Sequence, residues 1–324
     1  MDKLHPLFVH PTQKLWNSQL PRKSQLVYPL FVVDGENQKQ PINSMPNIYR
    51  YSVDLLKELL EPLVIKGLKA VLIFGVIGNE DKDEFGSMAG GLGKESCVHK
   101  ALRLLKQVFP QLLLITDVCL CAYTSHGHCG ILTKDGYLDN QASIKRLSEC
   151  ALSYAQAGAD IVAPSDMMDN RVRAIKELLD QHPNLRVPIM SYSSKFCSAL
   201  YGPFRDVCCS APQKFDRSSY QLPPGSRQLA LQAAERDLKE GAGYVMVKPI
   251  TAYLDIAAEI KRRHPDTLLA CYHVSGEYSM LHAGAEKKLF DLKRVVLEYM
   301  EGFIRSGIDI IITYFTPELL DWLE

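Results

Sequence analysis

The chain has no surplus of either charge: 37 lysines and arginines are balanced by 37 aspartates and glutamates over 324 residues. Without a basic field, neither nucleic acid nor an anionic membrane is an expected partner, and any anionic small molecule must be gripped by a few local groups. Long apolar runs are missing too, and none approaches the roughly 20 residues that span a bilayer. The opening MDKLHPLFVHPTQKLW has neither the apolar stretch of a secretory signal nor an Arg- and Ser-rich transit pattern, so a cytosolic protein is expected. Repeats and low-complexity tracts are also absent. What is present is a 47% hydrophobic fraction, enough for a large core in one barrel-sized domain or two ordinary ones. Nine cysteines accompany it; with no secretory signal they read as reduced thiols, metal ligands or packing rather than disulfides.

Eight apolar, β-branched runs recur along the chain: 26–33, 70–76, 111–118, 160–164, 187–191, 244–247, 268–273 and 309–314. They are nearly continuous rather than alternating, the pattern of strands covered on both faces. Helical patterns separate most of them. Ser52 is expected to cap a helix burying Leu56, Leu59, Leu60 and Leu63. Asn140 is expected to cap one burying Ile144, Leu147, Ala151 and Tyr154 and ending at Gly158. Asp291 is expected to cap one burying Val296, Met300, Phe303 and Ile304 and ending at Gly307. Alternating strand and helix predicts parallel βαβ units, and eight of them predict an α/β (β/α)₈ TIM barrel over 25–324; a doubly wound open sheet is the alternative.

Two segments fall outside that pattern. Residues 1–24, with Phe8, Trp16 and three prolines, form an apolar arm that needs a surface, which predicts contact with a neighbouring subunit. Residues 194–225 lack helical periodicity and hold Arg205 and Arg217; a loop this long in a compact domain predicts an active-site lid.

The chemistry gathers at strand ends. Cys119, Cys121 and Cys129 lie in DVCLCAYTSHGHCG after the third run, with His126 and His128 between them. Three thiolates on one tight loop suit a tetrahedral, borderline-soft ion, Zn²⁺ foremost, and three ligands leave its fourth position open to substrate. Lys195 follows the fifth run and Lys248 ends VMVK of the sixth. Either alone reads as a snorkelling surface lysine. On adjacent strands, apolar surroundings and a second charge from Lys195 both lower the pKa of Lys248, and the free amine can attack a carbonyl. Asp117, Ser165, Asp166, Tyr192, Tyr272, Ser275 and Tyr314 fall at the same mouth, whereas His273 and His282 read as structural. Arg205 and Arg217 are suited to grip a carboxylate bidentately.

The motifs LIFGV, DVCLCAYTSHGHCG, VAPSDMMD, MSYSSKF, YGPFRD, YQLPPGSR, VMVKP, YHVSGEY and DIIITYFTP span nearly the whole chain. In this combination the sequence resembles the δ-aminolevulinic acid dehydratase (porphobilinogen synthase) family, of the zinc-dependent animal type. The resemblance implies a (β/α)₈ barrel whose arm clasps a neighbour, usually in a homo-octamer. It implies condensation of two 5-aminolevulinate molecules to porphobilinogen plus two waters, in haem synthesis. Lys248 would form the Schiff base with the first (P-side) substrate and Lys195 with the second (A-side). Cys119, Cys121 and Cys129 would hold the catalytic zinc. Arg205, Arg217 and Gln221 would bind the A-side carboxylate, and Ser275 and Tyr314 the P-side one. Asp117 and Ser165 would surround the reacting amines. Animal members commonly pair a loop histidine, here His128, with a cysteine before YQLPP in a second metal site; this chain has Ser219 there. A class I aldolase, with one Schiff-base lysine and no metal, is the alternative function. A metallohydrolase barrel and a catalytically dead assembly protein are further rivals.

Overall fold

A computed structural model describes residues 5–91, 95–208 and 216–323. Eight parallel strands form its centre: β1 Leu26–Val33, β2 Ala70–Val76, β3 Leu113–Val118, β4 Ile161–Pro164, β5 Met190–Lys195, β6 Tyr244–Lys248, β7 Leu268–His273 and β8 Ile310–Thr313. Hydrogen-bonded neighbours run β4-β3-β2-β1-β8-β7-β6-β5. The ring is completed between β4 and β5 by one parallel bridge, Val162 to Ile189. This is the expected TIM barrel rather than an open sheet. Val71, Leu72, Ile73, Leu114, Ile115, Val162 and Val245 are fully buried, as strands flanked by core on one side and helices on the other require.

Two short strands outside the barrel, Lys39–Pro41 and Tyr49–Ser52, pair antiparallel, and the second also adds to β1. Ser52 therefore does not cap the helix Leu56–Ile65: a 3₁₀ turn, Val53–Leu55, intervenes, and the Ser52 hydroxyl accepts from the Gln38 N–H at 2.8 Å. The helix Asn140–Ala157 buries Ile144, Leu147, Ala151 and Tyr154 and ends at left-handed Gly158. Its cap is one residue earlier than expected. Asp139 accepts from the Ala142 N–H, leaving Asn140 to exchange hydrogen bonds with the Asp169 backbone. Asp291 caps Leu292–Arg305 through the Arg294 N–H, and Ile304 is only half-buried.

The fifth strand departs furthest from its predicted bounds of 187–191. It starts at Met190 and runs through the serines to Lys195. Ser191, Ser193 and Ser194 are buried, so their hydroxyls need partners, and each has one. An extra residue between Ser191 and Ser194 shifts the register against β6. This bulge brings Lys195 directly opposite Lys248.

The arm contains a short helix, Pro11–Asn17, with Leu15 and Trp16 more than 70% exposed. Among the described residues no helix is long and apolar enough to cross a membrane.

Candidate active site

Both lysines end their strands and are buried, pointing into the mouth formed by the C-terminal strand ends. The Lys248 Nζ lies 4.0 Å from the ring centroid of Tyr272, 4.9 Å from Phe204, 5.0 Å from Tyr192 and 5.4 Å from Tyr201. Desolvation in this cage, together with the nearby Lys195 charge, lowers the Lys248 pKa to about 7, while Asp117 opposes the shift. Lys195 donates from its Nζ to the carbonyl of Ser165, the residue that follows β4. Asp117, near the end of β3, is lifted to about 6 by burial against the pull of Lys195 and the Ser165 hydroxyl. Tyr272 and Tyr314, at the ends of β7 and β8, are joined hydroxyl to hydroxyl at 3.0 Å.

The loop after β3 folds back through left-handed Gly127, so the sulfurs of Cys119, Cys121 and Cys129 all lie within 4.8 Å of one another, fully buried. Cys119 and Cys121 are 3.4 Å apart, Sγ to Sγ. Zinc–thiolate bonds of about 2.3 Å at tetrahedral angles set sulfurs roughly 3.8 Å apart, so the cluster fits such an ion with little adjustment. Hydrogen bonds from the other two thiols hold Cys129 well below the usual thiol range, and Cys121 sits at about 11. Among the described residues this is the one group of three or more metal-type ligands. His128 is not part of that group; its Nδ1 lies 3.2 Å from the Tyr220 hydroxyl, and Ser219 is exposed.

The lid segment is not aperiodic throughout, as the sequence suggested: a 3₁₀ turn, Ala199–Tyr201, leads into a short helix, Gly202–Cys208. Residues 209–215 of the expected lid lie outside the described residues. Phe204 reaches down from the helix to pack edge-on against Phe74 at 5.3 Å, above Lys248. The start of this segment is latched where the Phe204 N–H donates to Ser275 Oγ at 3.0 Å and the Tyr201 hydroxyl donates to the Lys248 carbonyl at 3.1 Å. Its second half docks on the cysteine loop. Arg217, buried, donates to the Gly127 carbonyl at 3.0 Å, and the Tyr220 hydroxyl accepts from the Cys129 N–H at 3.4 Å. Burial opposes the Arg217 charge, but the facing thiols more than offset it and its pKa rises. The charges of Arg205 and Arg217 both reach the Cys197 thiol, so the two arginines approach one region. Gln221 is buried, and neither of its amide atoms has a hydrogen-bond partner. A polar group so placed awaits a polar ligand.

Gly276 shows how tightly the latch is built. A Cβ there would sit 2.5 Å from the Leu200 carbonyl oxygen and 2.8 Å from its Cα, backbone atoms that cannot swing aside. Gly276→Ala is expected to cost about 1–3 kcal/mol of stability, the scale of core overpacking, read by urea unfolding. Turnover should fall as well, because Ser275 and the lid root shift together.

Phe204, Tyr201 and Phe74 were not foreseen as site residues; YGPFRD drew attention only through its arginine. Cys208 was also missed. It lines the same cavity as Asp117, Cys119 and Cys121, opposite them on the lid helix. His273 and His282 stack on Phe315 and take no part in the mouth. A larger surface groove, between Leu20 and the helix Leu292–Arg305, collects none of these groups.

Comparison with known proteins agrees with this geometry. The family model for delta-aminolevulinic acid dehydratase matches residues 6–322. The Bos taurus delta-aminolevulinic acid dehydratase is 53% identical, the match covering 99% of this chain and 98% of that one. The Dictyostelium discoideum protein of the same name is 50% identical over 99% of this chain and 96% of its own length. The crystal structure of the Toxoplasma gondii enzyme (porphobilinogen synthase) in complex with the reaction product porphobilinogen superposes with a TM-score of 0.95 at 36% identity, covering 99% of this chain and 91% of that one. Barrel, paired lysines and thiol loop thus converge with these likenesses, and the chain belongs to the delta-aminolevulinic acid dehydratase family.

Proposed function

We propose that this chain is a porphobilinogen synthase, condensing two molecules of 5-aminolevulinate into porphobilinogen with release of two waters. The observation that carries the reading is the pairing of Lys195 with Lys248 at directly opposed positions of neighbouring strands, both buried at one cavity mouth with a three-thiol cluster. A class I aldolase needs one such amine and no thiol cluster. Family membership also favours the synthase.

The chemistry follows from the groups present. Lys248, uncharged in half its molecules near neutrality, uses its lone pair to attack the ketone carbon of the P-side substrate. The resulting carbinolamine expels water and leaves an iminium, which acidifies the neighbouring carbon for C–C bond formation. Lys195 forms the equivalent link to the A-side molecule. Asp117, held near the middle of the useful range, and Ser165 accept and return protons at the reacting amines. Arg205, Arg217 and Gln221 hold the A-side carboxylate, while Ser275 and Tyr314 hold the P-side one, with Tyr192 and Tyr272 walling the lysines. Cys119, Cys121 and Cys129 would hold Zn²⁺, which supplies Lewis acidity beside the A-side substrate. The lid excludes water from imines that would otherwise hydrolyse, and fixing two copies of one small molecule removes the entropy cost of their encounter. The exposed apolar side chains Leu7, Phe8, Val9, Leu15 and Trp16 of the arm support assembly into a homo-oligomer, an octamer by family resemblance.

Borohydride reduction in the presence of 5-aminolevulinate, followed by peptide mapping, tests the assignment. Label is expected on Lys248, with an initial rate that rises with pH and levels off above about 7, because only the neutral amine attacks. An ordinary lysine would still be gaining reactivity near its usual value of about 10.4. Label confined to other lysines would reject the nucleophile.

A further inference from the structure

The barrel closes weakly where its chemistry is most demanding. β4 and β5 share a single isolated bridge, Val162 to Ile189, whereas the other neighbouring barrel strands share ladders. Yet the contact between Lys195 and the Ser165 carbonyl crosses this seam. Something other than backbone pairing must hold the two strand ends in place.

Arg171 is the group that spans the gap. It opens the helix Arg171–Asp180 after β4 and is completely buried. On the β4 side its Nη1 donates to the Met168 carbonyl at 3.3 Å, and its Nε lies 3.5 Å from the Asp166 carboxylate, which in turn accepts from the Met168 N–H at 2.7 Å. On the β5 side its Nη2 donates to Ser191 Oγ at 3.1 Å and to the Tyr192 carbonyl at 3.3 Å. Behind both, Asp237 from the helix Arg227–Lys239 takes Arg171 at 3.3 Å, the Ser191 hydroxyl at 2.6 Å and Arg236 at 3.0 Å. Ser191 and Tyr192 lie in the bulge that turns Lys195 opposite Lys248.

A guanidinium offers five donors in a rigid plane, so one side chain can register two strand ends and a helix at once. From this geometry we infer that Arg171 is a positioning residue for the reaction: it clamps the β4–β5 seam and the β5 bulge, and so aims Lys195 at both its acceptor and its partner lysine. Arg171 touches no substrate. It acts through Ser165, the bulge and Lys195, and the inference rests on the reading of Lys195 as a Schiff-base former.

The test compares wild type, Arg171→Lys and Ser191→Ala in the porphobilinogen assay and in borohydride trapping with 5-aminolevulinate across a pH series, alongside thermal unfolding. Lysine keeps the charge against Asp166 and Asp237 but loses the fork; Ser191→Ala removes one arm of the clamp without stranding a charge. Folded Arg171→Lys is expected to lose about 100-fold in kcat with KM little changed, the scale of a misplaced reacting group. Ser191→Ala should lose less, in the same direction. Lys248 is faced by Lys195, Asp117, Cys121 and Cys208 and by the surrounding aromatic rings. With Lys195 displaced, its midpoint for trapping should move up toward the ordinary lysine range. A merely structural Arg171 would lower thermal stability and leave kcat per folded molecule and the trapping midpoint where they were, and that result overturns the inference. If Arg171→Lys fails to fold, Ser191→Ala decides by the same two readouts. Absence of label on both lysines of the wild type defeats the reaction assignment itself, independently of Arg171.

Discussion

Lys248→Ala removes porphobilinogen formation by on the order of 10⁴-fold or more, the scale on which loss of a covalent nucleophile is felt. The loss should fall on kcat, because the arginines and the rest of the cavity still bind substrate. Lys195 cannot stand in, since in the proposed reaction it is already committed to the A-side molecule. The substitution also takes away a charge that repels Lys195, so the folded variant should be no less stable than wild type despite the space left beneath Tyr272. A colour assay for porphobilinogen with thermal unfolding as the control checks both halves. Retained turnover would reject Lys248 as the nucleophile, whatever the fate of Lys195.

The second large effect concerns the thiols. Chelation should abolish turnover, and zinc should restore it. Cys129→Ala should weaken metal binding by well over 100-fold, more than the loss of a group that merely orients a ligand. The readout is competition with a chromophoric chelator, and Co²⁺ substitution should show intense thiolate-to-metal absorption that weakens in the variant. Binding must expel protons from Cys119 and Cys121, which hydrogen bonding with Cys129 and burial hold above the ordinary thiol value. Apparent affinity should therefore climb as pH rises. Turnover that survives rigorous metal removal would return the chain to metal-free Schiff-base chemistry.

Where the sequence was readable, a physical rule was acting alone. The strands 26–33, 70–76 and 268–273 have their predicted bounds because all of their residues except His273 are apolar. The fifth strand was misplaced by three or four residues because all of it after Met190, Ser-Tyr-Ser-Ser-Lys, carries polar groups. The three serine hydroxyls are satisfied by Asp237 and by backbone carbonyls, including one from a distant helix, which no local pattern reveals. Both Schiff-base candidates and all three thiols were legible, since a lysine or cysteine at a strand end is conspicuous. The aromatic cage was less so: Phe204 belongs to a two-turn helix that opens with glycine and proline, a composition that reads as loop. Arg171 was invisible for a different reason. On its own it is one arginine at the start of an amphipathic helix, and only the fold shows that it is wholly enclosed between two strand ends.

The ring faces around Lys248 have a bearing on how long the enzyme stays loaded. In the proposed reaction, the amine condensed with a ketone becomes an iminium whose charge sits where the ammonium's did. Four π-clouds within 5.4 Å of Nζ offset part of the desolvation that a cation meets there. A first guest bound through Lys248 would thus keep its charge at less cost than in an apolar pocket without aromatic walls.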